Sequence, residues 1–86
     1  MKHYAAPSFW SDFDKLPREI QQLARENYDL LVANPFHPSL HFKRVGPYWV
    51  VRVGLHYRAV GDSATDGILW FWIGSHEEYN HVIRRR

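Results

Sequence analysis

The chain contains no cysteine. That excludes a disulfide scaffold, a thiolate metal site and a cysteine nucleophile. Long apolar runs are also missing: the longest is Ile68-Leu69-Trp70-Phe71-Trp72-Ile73, against about 20 residues needed to span a bilayer. No apolar segment follows Met1-Lys2-His3-Tyr4, so no secretory signal is visible. A cytoplasmic protein without membrane contact is expected. Glycine-rich phosphate loops are absent, since neither Gly-x-Gly-x-x-Gly nor a P-loop pattern occurs. None of Ser8, Ser11, Ser39, Ser63 and Ser75 lies in a Gly-x-Ser-x-Gly context, which removes that nucleophile motif. There is little excess charge: 11 Lys and Arg face 9 Asp and Glu, net +2. Such a balance permits a polyanionic partner without requiring one.

Aromatic residues are what the chain has in quantity, with 4 Trp, 5 Tyr and 5 Phe among 86 residues. Each can bury about 150–250 Å², so a single core spanning residues 1–86 is feasible without staples. Two periodicities divide the chain. Pro7-Ser8 offers a helix start, and Phe9, Phe13 and Leu16 recur at i, i+4 and i+7. A second helix is predicted from about Pro17 to Ala33, striped by Ile20, Leu23, Ala24, Asn27, Leu30 and Leu31 and stopped by Asn34-Pro35.

From Ser39 onward the pattern is that of strands. Leu40 and Phe42 alternate with His41 and Lys43, and Gly46-Pro47 makes a turn. Tyr48–Val53 and Tyr57–Val60 read as strands joined by Gly54-Leu55-His56, with a loop over Gly61–Gly67. Ile68–Ile73 is apolar on both parities, the signature of a strand covered on both faces. Ser75 is placed to cap a short helix over His76–Arg84. The expected class is α+β: two N-terminal helices on one face of a small antiparallel sheet of about four strands, then a short C-terminal helix.

Six histidines are many for this length. His76 and His81 are five apart, whereas a zincin helix needs i and i+4. His37 and His41 are four apart, but Pro38 breaks any helix between them and no third ligand is near. No metal or other cofactor is expected. Trp70-Phe71-Trp72 has the composition of a base-stacking platform, yet neighbours in an apolar run read more simply as core. The basic residues carry more. Lys43, Arg52 and Arg58 fall on three successive strands. If Phe42, Val51 and Val53 face the helices, Lys43 and Arg52 face away from them. His76 lies just beyond Gly74 at the end of the last strand. Arginine forks and an imidazole on one face suit a phosphodiester backbone, while a solvated charged face is the plainer reading of the same pattern.

These segments together resemble the RelE/ParE superfamily of bacterial type II toxins. The resemblance rests on Ser8-Phe9-Trp10, on Leu16-Pro17 with a helix behind it, and on the run from Asn34 to Lys43. It continues through Trp49–Gly54, Tyr57-Arg58-Ala59 and Trp70–His76 with Tyr79, covering residues 7–83. It implies a compact α+β domain and a cognate antitoxin that blocks its site. It further implies metal-independent, ribosome-dependent cleavage of mRNA, or, as in ParE-like members, inhibition of DNA gyrase. A non-catalytic, antitoxin-binding member is the third alternative. Carried over by position, the resemblance assigns catalysis to His76, Arg58, Arg52 and Tyr79. Phosphate contacts fall to Lys43, Arg44, Arg52 and, with rRNA, Arg84 and Arg85. The multi-lysine strand and the sheet glutamate of some branches are missing here.

Overall fold

The computed structural model describes residues 1–85, Arg85 through its backbone alone. Its elements run β1 (Lys2–Ala5), α1 (Pro7–Asp14), α2 (Arg18–Ala33), a 3-10 turn (Pro38–Leu40), β2 (Lys43–Val45), β3 (Tyr48–Val53), β4 (Tyr57–Ala64), β5 (Gly67–Ser75) and α3 (His76–Arg85). The α+β class is as expected. The sheet, however, has five strands, in the order β1-β5-β4-β3-β2. Four form the expected antiparallel meander; β1 adds to β5 in parallel. Gly67 permits this, because a Cβ there would fall 1.8 Å from the Lys2 carbonyl oxygen. Only a bare backbone lets β1 come so close.

Two apolar layers cover the sheet. On one face Phe13, Leu31, Val51, Val53, Ala59, Ile68, Trp70 and Ile73 are buried, with Phe9, Leu23, Ala24 and Leu30 of α1 and α2 packed against them. Phe42 joins this layer, as its alternation with Lys43 required. On the other face Tyr48, Val50, Val60 and Phe71 are buried against Tyr79, Val82 and Ile83 of α3. The helices therefore sandwich the sheet, and the predicted one-sided cover holds for α1 and α2 only.

The doubly apolar β5 is explained by a bulge. Gly61 pairs with Trp70 and Val60 with Trp72, which leaves Phe71 as the extra residue. Phe71 and Trp72 consequently both face α3, whereas Trp70 and Ile73 face α1 and α2. Trp70-Phe71-Trp72 is core, not a stacking platform. Two further expectations are corrected. The segment 61–67 is not a loop, since β4 continues to Ala64 and only Thr65-Asp66 turn. Ser8 is not a cap: its hydroxyl donates to the Phe71 carbonyl at 2.7 Å, tying α1 to β5. Ser75 does cap α3, accepting from the Glu78 N–H at 3.2 Å. Among the described residues no helix is long and apolar enough to cross a membrane.

Candidate active site

Strand register builds a row of candidate side chains across the α3 face of the sheet. Arg52 on β3 is the direct partner of Arg58 on β4, and Arg58 is the partner of Gly74 on β5. His76 follows two residues later as the first residue of α3. Period-two alternation fixes which face they take: Val51, Val53 and Ala59 fill the α1/α2 core, so Arg52 and Arg58 emerge opposite. The row is anchored from behind by α2, where the Asn27 side-chain amide donates to the Arg52 carbonyl at 3.3 Å.

Three groups then layer over the row. The Arg58 guanidinium carbon lies 6.0 Å from the centre of the Tyr79 ring. That ring stacks on the His76 imidazole, with centroids 6.3 Å apart and planes inclined by 18°. Arg58 is held further by donation to the Tyr57 carbonyl at 3.0 Å, and the His76 N–H by the His56 carbonyl at 2.7 Å. Burial lowers the Arg58 pKa and the neighbouring Arg52 charge lowers it again, with Tyr79 opposing both. Burial raises the Tyr79 pKa, and Arg58 pulls it back. Tyr79 is therefore a neutral phenol carrying a cation on its face.

The arginine pair is not neutralised from within. Among the described residues, neither Arg52 nor Arg58 forms a salt bridge with a carboxylate. Arg52 Nε is buried with no hydrogen-bond partner. Two adjacent guanidiniums without a carboxylate partner have the charge and fork geometry suited to a phosphate or another oxyanion.

The remaining expected residues separate. Lys43 pairs with Val50, so it lies on the arginine face, exposed. Arg44 lies on the other face: its guanidinium sits 4.8 Å over the Trp49 ring and donates to Ser63 Oγ at 3.3 Å. Arg84 is exposed about two turns along α3 from His76. The Arg85 side chain and Arg86 lie outside the described residues.

His41 joins the row unpredicted. Extending the Lys43–Val50 and Arg44–Trp49 pairing by two residues brings it opposite Arg52, and its Nε2 lies 3.5 Å from Arg52 Nη1. Parity with Lys43 gives its face; its place beside Arg52 takes counting back from the Gly46-Pro47 turn. His37, its companion in the metal question, instead accepts from the Ser39 N–H through Nδ1 at 3.2 Å. Among the described residues no three metal-binding side chains converge.

A concavity of about 650 Å³ lies away from this row, between β1, α1 and α2. Phe9, Trp10, Phe13, Tyr28 and Trp70 make it mainly apolar. It lacks the paired cations of the arginine row and offers no comparable chemistry.

The fold has close counterparts among solved structures. One is the RelB–RelE antitoxin–toxin complex from Methanococcus jannaschii, at TM-score 0.71 and 18% identity over 92% of this chain and 96% of that one. A YoeB/ParE toxin from Agrobacterium tumefaciens superposes at TM-score 0.66 and 16% identity, covering 88% and 99% respectively. The isolated RelE toxin of E. coli gives TM-score 0.60 and 12% identity over 96% and 95%. No curated protein matches the chain in sequence. The family model of the ParE-like toxin domain, in contrast, matches residues 18–81, from the start of α2 into α3 and through the whole arginine row. The chain belongs to the family of ParE-like toxin domains.

Proposed function

We propose that this protein is the toxin of a type II toxin–antitoxin pair, and that it cleaves mRNA on the ribosome in the cytoplasm without a metal. The observation that carries the reading is the Arg52–Arg58 pair, in register, free of carboxylates and flanked by the Tyr79–His76 stack. A scissile phosphate seated on the two guanidiniums has its non-bridging oxygens held by open donors. The RNA 2′-OH attacks phosphorus, the bond to the 5′ oxygen breaks, and a 2′,3′-cyclic phosphate and a 5′-hydroxyl result. Charge builds on the non-bridging oxygens in the transition state, where paired arginines stabilise it most. His76, exposed beside the row, exchanges a proton with one of the reacting oxygens. Tyr79 orients both Arg58 and His76.

The ribosome supplies the alignment of RNA that an open sheet face cannot, a term worth more than either charge or proton transfer. Lys43 extends the basic track along the same face. Antitoxin association is part of this reading, supported by the likeness to a toxin solved with its antitoxin.

The test is mRNA cleavage in a purified translation system, with and without ribosomes, comparing wild type with His76→Ala. The expected result is ribosome-dependent cleavage that falls by about 100-fold or more in the variant. Intact mRNA throughout would refute the reading and direct the next assay to gyrase supercoiling.

A further inference from the structure

We infer that His41 is the general base of this site, with His76 as its general acid. The inference rests on the RNA-cleavage reading and assigns the two ends of the reaction. Its first support is position. Across the sheet the order is Arg52, Arg58, Gly74, with His41 against Arg52 at one end and His76 beyond Gly74 at the other. Two strand spacings separate the Arg52 and Gly74 backbones, roughly 10 Å, and His41 lies outside them on the Arg52 side. The two imidazoles thus stand at opposite ends of the arginine pair. An in-line displacement needs this arrangement, because the attacking and leaving oxygens lie on opposite sides of phosphorus.

The second support is contact. His41 Nε2 lies 3.5 Å from Arg52 Nη1, so the imidazole edge meets the guanidinium row. The contact is long, as catalytic hydrogen bonds often are before substrate arrives. The third support is backbone conformation. His41 has φ 44° and ψ 42°, the only positive φ outside glycine among the described residues. Glycine or asparagine would occupy that conformation more readily. It closes the 3-10 turn and turns the imidazole onto Arg52.

The reaction balances. His41 Nε2 takes the 2′-OH proton as the O2′–P bond forms. The P–O5′ bond breaks, and protonated His76 delivers its proton to O5′. The charged and titratable groups facing this chemistry are Lys43 on β2, Arg52 on β3, Arg58 on β4, and His76 and Tyr79 on α3.

The experiment is ribosome-dependent cleavage measured from about pH 5 to 8.5 for wild type, His41→Ala, His41→Asn and His76→Ala. Wild type is expected to give a bell-shaped profile. A base must be neutral, so its loss removes the limb that rises with pH; an acid must be protonated, so its loss removes the limb that falls. His41→Asn accepts the left-handed conformation and retains a hydrogen-bond acceptor but cannot titrate. It should therefore lose about 100-fold or more together with the rising limb, as His41→Ala does. A His41→Asn variant that cleaves at the wild-type rate, or keeps the rising limb, overturns the assignment and leaves the RNA-cleavage reading standing. No cleavage by wild type overturns both.

Discussion

Replacing His41 separately by glycine and by alanine tests its backbone and its imidazole in one comparison. Both substitutions remove the ring and its contact with Arg52, so they differ only in the backbone each residue prefers. At φ 44°, ψ 42° an L-residue is disfavoured by about 1–2 kcal/mol. Glycine escapes that cost but has a more disordered unfolded chain, which offsets about 0.4–1 kcal/mol. His41→Gly should therefore be more stable than His41→Ala by about 0.5–1 kcal/mol. For a domain of this size that is about 2–8 °C in Tm. The sign is the test, because at an ordinary helical or extended position glycine is the less stable of the two by about 0.5–1 kcal/mol. Thermal unfolding by circular dichroism reads the order directly. Neither variant has an imidazole, so both should cleave RNA equally poorly however their stabilities differ. Alanine more stable than glycine would refute the left-handed backbone. Glycine cleaving at the wild-type rate would refute the role of the ring.

Burial is the main cause raising the pKa of Asp12 on α1, and the nearby Glu78 carboxylate adds to it, against Lys15 and the Ile73 N–H. A carboxyl whose pKa rises on folding favours the folded state fully below its ordinary value of 3.8 and loses that contribution as pH climbs through the raised value. Asp12→Asn keeps an acceptor for the Ile73 N–H, so its Tm advantage over wild type should be absent near pH 3 and grow toward neutrality. An advantage independent of pH would contradict this. Gly67→Ala forces a Cβ to within 1.8 Å of the Lys2 carbonyl oxygen, and the backbone must part. We expect a loss of about 1–3 kcal/mol and faster amide exchange across residues 2–5, while unchanged exchange there would refute the β1–β5 contact.

Elements with strong periodicity were legible in the sequence. The stripes of α1 and α2 became one apolar layer, and the alternation through Tyr48–Val53 placed Arg52 away from it. The strand β1 was not legible: Lys2-His3-Tyr4-Ala5 is mostly exposed, and its pairing is set by β5 some sixty residues away. The length of β4 was hidden by Gly61 and Asp62, turn formers that here lie within a strand. In the site, Arg52, Arg58 and His76 lie together as the strand pattern implied, and Tyr79, singled out only by the family resemblance, stacks beside them. Arg44 is not, and parity already forbade it: Lys43 and Arg44 are consecutive in β2 and cannot share a face. Alternation with Lys43 gave His41 its face, but its neighbour Arg52 follows only from the pairing register across the Gly46-Pro47 turn.

Among the described residues, local rules of folding are broken at three neighbouring positions, His41, Arg52 and Arg58. Among the described residues, one non-glycine residue has positive φ, His41. One buried side-chain donor lacks a partner, Arg52 Nε. Like charges are set side by side at Arg52 and Arg58, and Arg58 is shifted by that neighbour after burial. Each departure opposes folding: an unsatisfied buried donor alone costs about 1–3 kcal/mol. Scattered over the molecule they would be unrelated irregularities. Instead they occupy adjacent positions of one row, under a tyrosine that holds a cation and an imidazole together. On the proposed function an anion seated there would relieve the repulsion between the guanidiniums, whereas a purely structural surface gains nothing from keeping them adjacent. The same reasoning sets the apolar groove apart, since its aromatic walls break no such rule. A phosphodiester on the arginine row, the ligand proposed above, would make the row's departures mutually consistent.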